Sequence, residues 1–167
     1  MKRIAYILIL LTFLTNCKTE DIVTNCENPN LTFLVNDDFI EGDNYSYDAL
    51  ILNEGGYTYG NASLNSWNTN GNHSQNIFKT INNYGIGDIL QSAYKTEEEI
   101  YLLVNNSQKI EVIDKNNLKR KRTITGFTSP RHMTIIGDIA LVTDLYANKI
   151  NVFNTKINCE LNSIIMQ

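Results

Sequence analysis

Two stretches of this chain repeat one another at a separation of about 40 residues. Tyr101-Leu102-Leu103-Val104-Asn105-Asn106-Ser107-Gln108-Lys109-Ile110-Glu111-Val112-Ile113-Asp114 falls on Leu141-Val142-Thr143-Asp144-Leu145-Tyr146-Ala147-Asn148-Lys149-Ile150-Asn151-Val152-Phe153-Asn154. Lys109, Ile110 and Val112 meet identical residues. Without a gap, Ser92-Ala93 falls on His132-Met133 and Thr123-Ile124 on Ser163-Ile164. A looser third copy lies earlier, where Ala49 to Glu54 matches one strand and Ala62 to Trp67 the next, with a longer Gly-rich turn between them.

A period of about 40 residues that holds several short strands is the mark of a β-propeller blade. The second unit reads as strands at residues 89–94, 100–104, 109–114 and 120–124, and the third as strands at 132–136, 140–144, 149–154 and 160–165. Ile110-Glu111-Val112 and Ile150-Asn151-Val152 alternate as strands do when one face packs on a neighbour. Lys115-Asn116-Asn117 and Gly137-Asp138 suit tight turns. The expected fold is therefore all-β, a β-propeller with about three four-stranded blades at 47–84, 85–124 and 125–167. Lys119-Arg120-Lys121-Arg122 is expected on an outermost strand, where charge discourages edge-to-edge pairing. Richness in Asn, Thr, Tyr and Ile with only two prolines fits strands and turns.

The first 17 residues have a different character. Met1-Lys2-Arg3 precedes an apolar run from Ile4 to Leu11 that is shorter than the roughly 20 residues needed to span a bilayer. It ends at Cys17. This pattern resembles a bacterial lipoprotein signal, so residues 1–17 are expected to be a signal peptide ending in a lipidated Cys17, with 18–46 as tether and N-terminal segment. Lys18-Thr19-Glu20-Asp21 resembles a tag for transfer to the cell surface. The expected location is the outer membrane, lipid-anchored and facing outward. Of three cysteines, Cys26 and Cys159 remain, and two positions alone do not establish that they pair. A net charge of −4 offers no basic face for nucleic acid. The two histidines, His73 and His132, have no metal-ligand spacing.

Taken together, Leu50 to Gly56, Gly60 to Leu64, Val104 to Asp114, Ser129-Pro130-Arg131 and Val142 to Ile150 resemble the YncE-like β-propeller surface lipoproteins of Bacteroidota. The resemblance runs from about Tyr47 to the last residue. It implies a seven-bladed fold, of which about three blades are present here. A closed propeller needs at least four, so the reading is of a partial one. It further implies capture of a nutrient, a corrinoid such as cobalamin, for delivery to a TonB-dependent outer-membrane transporter.

In such a fold the loops at 53–61, 84–91, 105–108, 126–132 and 144–148 are expected on one face. The candidate ligand-binding residues are Asn53, Glu54, Tyr57, Tyr59, Asn105, Asn106, Arg131, Asp144 and Tyr146. The tyrosines offer flat rings with a polar edge and the others offer hydrogen bonds, a mixture that suits a large planar ligand with amide side groups. No cofactor and no chemistry are expected. Two other readings stay open: a scaffold for a protein or glycan, and a carbohydrate-active enzyme using Glu54, Asp88 and Asp144.

Overall fold

The computed structural model describes residues 30–39 and 41–166. Cys17, Cys26 and the expected signal and surface tag lie outside the described residues. The elements are β1 (Thr32–Val35), β2 (Ala49–Asn53), β3 (Ser63–Trp67), β4 (His73–Ser74), helix α1 (Ile77–Asn82), β5 (Leu90–Lys95), β6 (Glu99–Val104), β7 (Lys109–Asp114), β8 (Arg120–Thr125), β9 (Pro130–Ile136), β10 (Ile139–Asp144), β11 (Lys149–Asn154) and β12 (Cys159–Ile165).

These strands make three antiparallel sheets, ordered β2-β3-β4, β1-β8-β7-β6-β5 and β12-β11-β10-β9. The eight strands expected in the second and third units are present, with ends moved by two residues or fewer. One end strand from each sheet, β2, β5 and β9, meets the next in turn, β2 against β5 and β5 against β9. Ser92 Oγ donates to the Arg131 carbonyl at 2.6 Å and so ties β5 to β9.

Burial explains why the middle sheet reads differently from its neighbours. Ile100-Tyr101-Leu102-Leu103-Val104 is apolar without interruption, and every one of the five is buried. A strand covered on both faces has no solvent side to mark with a polar residue. Ile100, Leu102, Val104 and Ile113 pack with Leu64, Phe78 and Ile86 toward the first sheet. Tyr101, Leu103, Ile110, Val112 and Ile124 pack with Ala140, Val142 and Phe153 of the third. On β10, by contrast, Ala140, Val142 and Asp144 are buried while Ile139 and Leu141 are half-buried and Thr143 is exposed. One face of the third sheet therefore meets the second, and the other carries Leu141, Ile150 and Ile164.

Two features depart from the expectation of four-stranded units. The first sheet has three strands, because Ile77, Phe78 and Ile81 follow helical rather than alternating spacing, and α1 packs on β3 in place of a further strand. The second sheet has five, because Thr32–Val35 pairs with β8, Thr32 facing Thr125 and Val35 facing Arg122. Hence β8 is an interior strand and β1 is the edge. The reading of residues 119–122 as charges guarding an edge is overturned: Arg122 is 6% exposed and bonded to Glu99.

Candidate functional site

The loops that leave β2, β6 and β10 and those that lead into β5 and β9 emerge at one end of the sheets and are joined by a run of hydrogen bonds. Asp88, just before β5, is its first hub. Its Oδ2 accepts the backbone N–H of Thr58 at 2.8 Å and the Asn106 side-chain amide at 2.5 Å. The Asp88 N–H donates to Ser107 Oγ at 2.9 Å. Gly87 makes this approach possible: its φ is 127°, and a Cβ there would stand 2.5 Å from Ser107 Oγ. The Ala62 N–H reaches the Gly87 carbonyl at 3.1 Å, which holds the Gly-rich loop against the same corner.

The run continues toward the third sheet. The Asn105 N–H donates to the Ile89 carbonyl at 2.8 Å, and its side-chain amide donates to the Pro130 carbonyl at 3.1 Å. Asp144 is the second hub, since its two carboxylate oxygens each accept a backbone N–H at 2.7 Å, from Thr128 and from Ser129. The Leu145 N–H returns to the Ser129 carbonyl at 2.9 Å. Charged acceptors on backbone donors make the stronger kind of hydrogen bond, so these carboxylates are braces for the loops.

The structure thus brings the nine candidate residues to one end and divides them by what they do. Asn105 and Asp144 are buried, with their polar atoms spent on neighbouring loops. Asn53 donates to Ser63 Oγ at 3.2 Å, and Asn106 is exposed but bonded to Asp88. Glu54 accepts from the Gln91 amide at 3.3 Å across to β5. Arg131 is half-buried and receives Ser92 through its carbonyl. Tyr57, Tyr59 and Tyr146 are 69%, 79% and 76% exposed, and Leu145, the chain neighbour of Tyr146, is exposed as well. Sequence reasoning weighed Asp88 as a carboxylate for chemistry and missed it as the hub between three loops. Gly85 and Gly87 around it were the available signal.

At the other end of the same strands a cleft of about 450 Å³ opens between the second and third sheets. Within it Arg122 grips Glu99 with two hydrogen bonds of 2.7 and 2.8 Å and also donates to the Tyr101 hydroxyl at 2.9 Å. Tyr101 in turn donates to Glu99 at 2.8 Å, and Lys121 stands 2.9 Å from the same carboxylate. Burial pushes the Glu99 carboxyl up, but the Arg122 guanidinium outweighs it, Lys121 and Tyr101 add to the pull, and the group is held at about 2. Burial raises the Tyr101 phenol, and Glu99 raises it further. The group closes a salt bridge on itself and joins β6 to β8.

Among the described residues no three His, Cys, Asp or Glu side chains gather to hold a metal ion, and no helix is long and apolar enough to cross a membrane. No family model matches the chain, and no curated protein is significantly similar to it.

Proposed function

We propose that the three sheets are blades of a β-propeller and that the loop end binds a nutrient ligand, a corrinoid, without chemistry. In this reading the protein is an outer-membrane lipoprotein held through Cys17, and it hands its ligand to a TonB-dependent transporter.

The observation that carries the binding proposal is the braced loop end. Five loops from three sheets are linked by buried and partly buried hydrogen bonds, and the candidate side chains that take no part in that bracing are Tyr57, Tyr59, Tyr146 and Arg131. Rigid loops that present exposed aromatic rings lower the ordering cost of binding a flat ligand. The propeller reading is supported by the adjacent end strands β2, β5 and β9 and by the repeat itself. Tyr101, Leu103, Ile110, Val112 and Ile124, which meet the third sheet, correspond to Leu141, Thr143, Ile150, Val152 and Ile164 on the third sheet's far face. A further sheet packed there would continue the same arc.

One observation favours the second reading, a scaffold for a protein or glycan. Tyr57, Tyr59 and Tyr146 keep more than two thirds of their surface exposed, so they form an open surface rather than a closed cavity wall. Calorimetric titration of cyanocobalamin into the folded protein separates the two. Saturable one-to-one binding that weakens at least tenfold in Tyr57→Ala or Tyr146→Ala is expected. Absence of heat from a folded sample overturns the corrinoid proposal and leaves the scaffold.

A further inference from the structure

At the end of the sheets away from the braced loops, a slot of about 230 Å³ lies between the first sheet and the second. Leu50 and Leu52 of β2 line it on one side, and Ala93 and Lys95 of β5 with Ile100 and Leu102 of β6 on the other. Ile100 and Leu102 are buried and Leu50 and Leu52 half-buried, so its walls are apolar. The slot opens into a cleft of about 330 Å³ that shares Tyr47, Asp48 and Lys95 with it.

The 40-residue repeat supplies a comparison within the chain. Ala93, Lys95, Ile100 and Leu102 correspond to Met133, Ile135, Ala140 and Val142, which belong to or pack against the apolar cluster between the second and third sheets. Where that interface has the long side chain of Met133, the slot has the single methyl of Ala93. Where it has Ile135, the slot has the cation Lys95. The Lys95 amine stands 5.7 Å from the centre of the Tyr47 ring, and among the described residues it forms no salt bridge. The Tyr47 hydroxyl donates to the Lys115 carbonyl at 2.9 Å, which fixes the ring at the mouth. Asp48, the one carboxylate lining slot or mouth, is engaged by the N–H and hydroxyl of Thr69 at 2.6 and 2.8 Å.

We propose that this slot binds the aliphatic chain of a small monocarboxylate, with the carboxylate on Lys95 at the mouth. An alkyl chain asks for no hydrogen bond from walls made of Leu50, Leu52, Ile100 and Leu102. The volume lies below the roughly 300 to 1,000 Å³ of sites for drug-sized ligands, which selects a short chain. A cation without a carboxylate partner, beside an acid already engaged by Thr69, calls for one negative charge. The site stands at the opposite end of the strands from Tyr57, Tyr59 and Tyr146 and does not depend on what binds there.

Titration of octanoate into the full chain, with the methyl resonances of Leu50, Leu52, Ile100 and Leu102 followed by nuclear magnetic resonance, tests the site. Those methyls are expected to shift saturably, and binding should tighten about fourfold for each methylene added from butanoate to octanoate. Octylammonium, with a like chain and the opposite charge, should bind at least fivefold more weakly, and Lys95→Met should remove that preference. Ala93→Met, which gives the slot the side chain of the next unit, should weaken octanoate at least tenfold. Methyls that stay unmoved at millimolar octanoate overturn the proposal, as does octanoate binding that a folded Ala93→Met leaves unchanged. Octylammonium that binds as tightly as octanoate overturns the choice of an anion. Should Ala93→Met not fold, the chain-length series decides: an affinity that does not change from butanoate to octanoate overturns the proposal.

Discussion

Replacing Arg122 by Met should cost stability at neutral pH and at the same time remove part of the protein's sensitivity to acid. In the folded chain Glu99 is held at about 2, against an ordinary value of 4.5. The unfolded chain therefore binds the extra proton between those two values, so this group's contribution is present above about pH 4.5 and is lost as pH falls toward 2. A displacement from 4.5 to about 2 corresponds to at most about 3 kcal/mol. The cleft admits solvent, with the Glu99 side chain 13% exposed and Lys121 28%, so screening brings the expected contribution to about 2 kcal/mol. In Arg122→Met the carboxylate keeps Lys121 but loses both guanidinium bonds, and stability at neutral pH should fall by about 3 kcal/mol. Urea unfolding followed by circular dichroism from about pH 6 to about pH 3 measures both effects. The wild-type protein should lose more stability over that range than either Arg122→Met or Glu99→Gln. Parallel losses in all three proteins would refute the assignment of the acid sensitivity to this carboxyl.

Asn151 is fully buried on the inner face of β11, and neither its amide nitrogen nor its oxygen has a partner within the described protein. Asn151→Val should therefore raise stability by about 1 to 2 kcal/mol, read as a higher urea midpoint at unchanged slope; a lower midpoint would mean that the amide is satisfied. Asp144→Ala removes the acceptor for two backbone N–H groups, so it should cost about 1 to 3 kcal/mol and speed hydrogen exchange at Thr128 and Ser129. If those amides exchange at the wild-type rate, Asp144 does not brace the loop.

Local pattern was enough to place the strands of the second and third units, because each carries its own alternation or apolar run and is bounded by residues suited to turns. The run from Ile100 to Val104 marked a strand, and Lys115-Asn116-Asn117 and Gly137-Asp138 marked turns. The first unit was less legible, since His73-Ser74 is too short to show a period and Ile77, Phe78 and Ile81 form a helix within a unit expected to hold four strands.

The sequence by itself determined that this chain is all-β, where most of its strands lie and which loops leave the same end of them, since these follow from side-chain periods and turn chemistry within a few residues. Only the tertiary structure decided which strand is an edge, because β1 joins β8 across a long separation in sequence and nothing within residues 119–122 records that partner. It likewise decided that Arg122 is buried on Glu99, and that Asn105, Asp88 and Asp144 brace loops while Tyr57, Tyr59 and Tyr146 stay exposed. A polar side chain is equally able to serve a ligand or a backbone N–H, and the choice is made by what the folded chain places within hydrogen-bond reach.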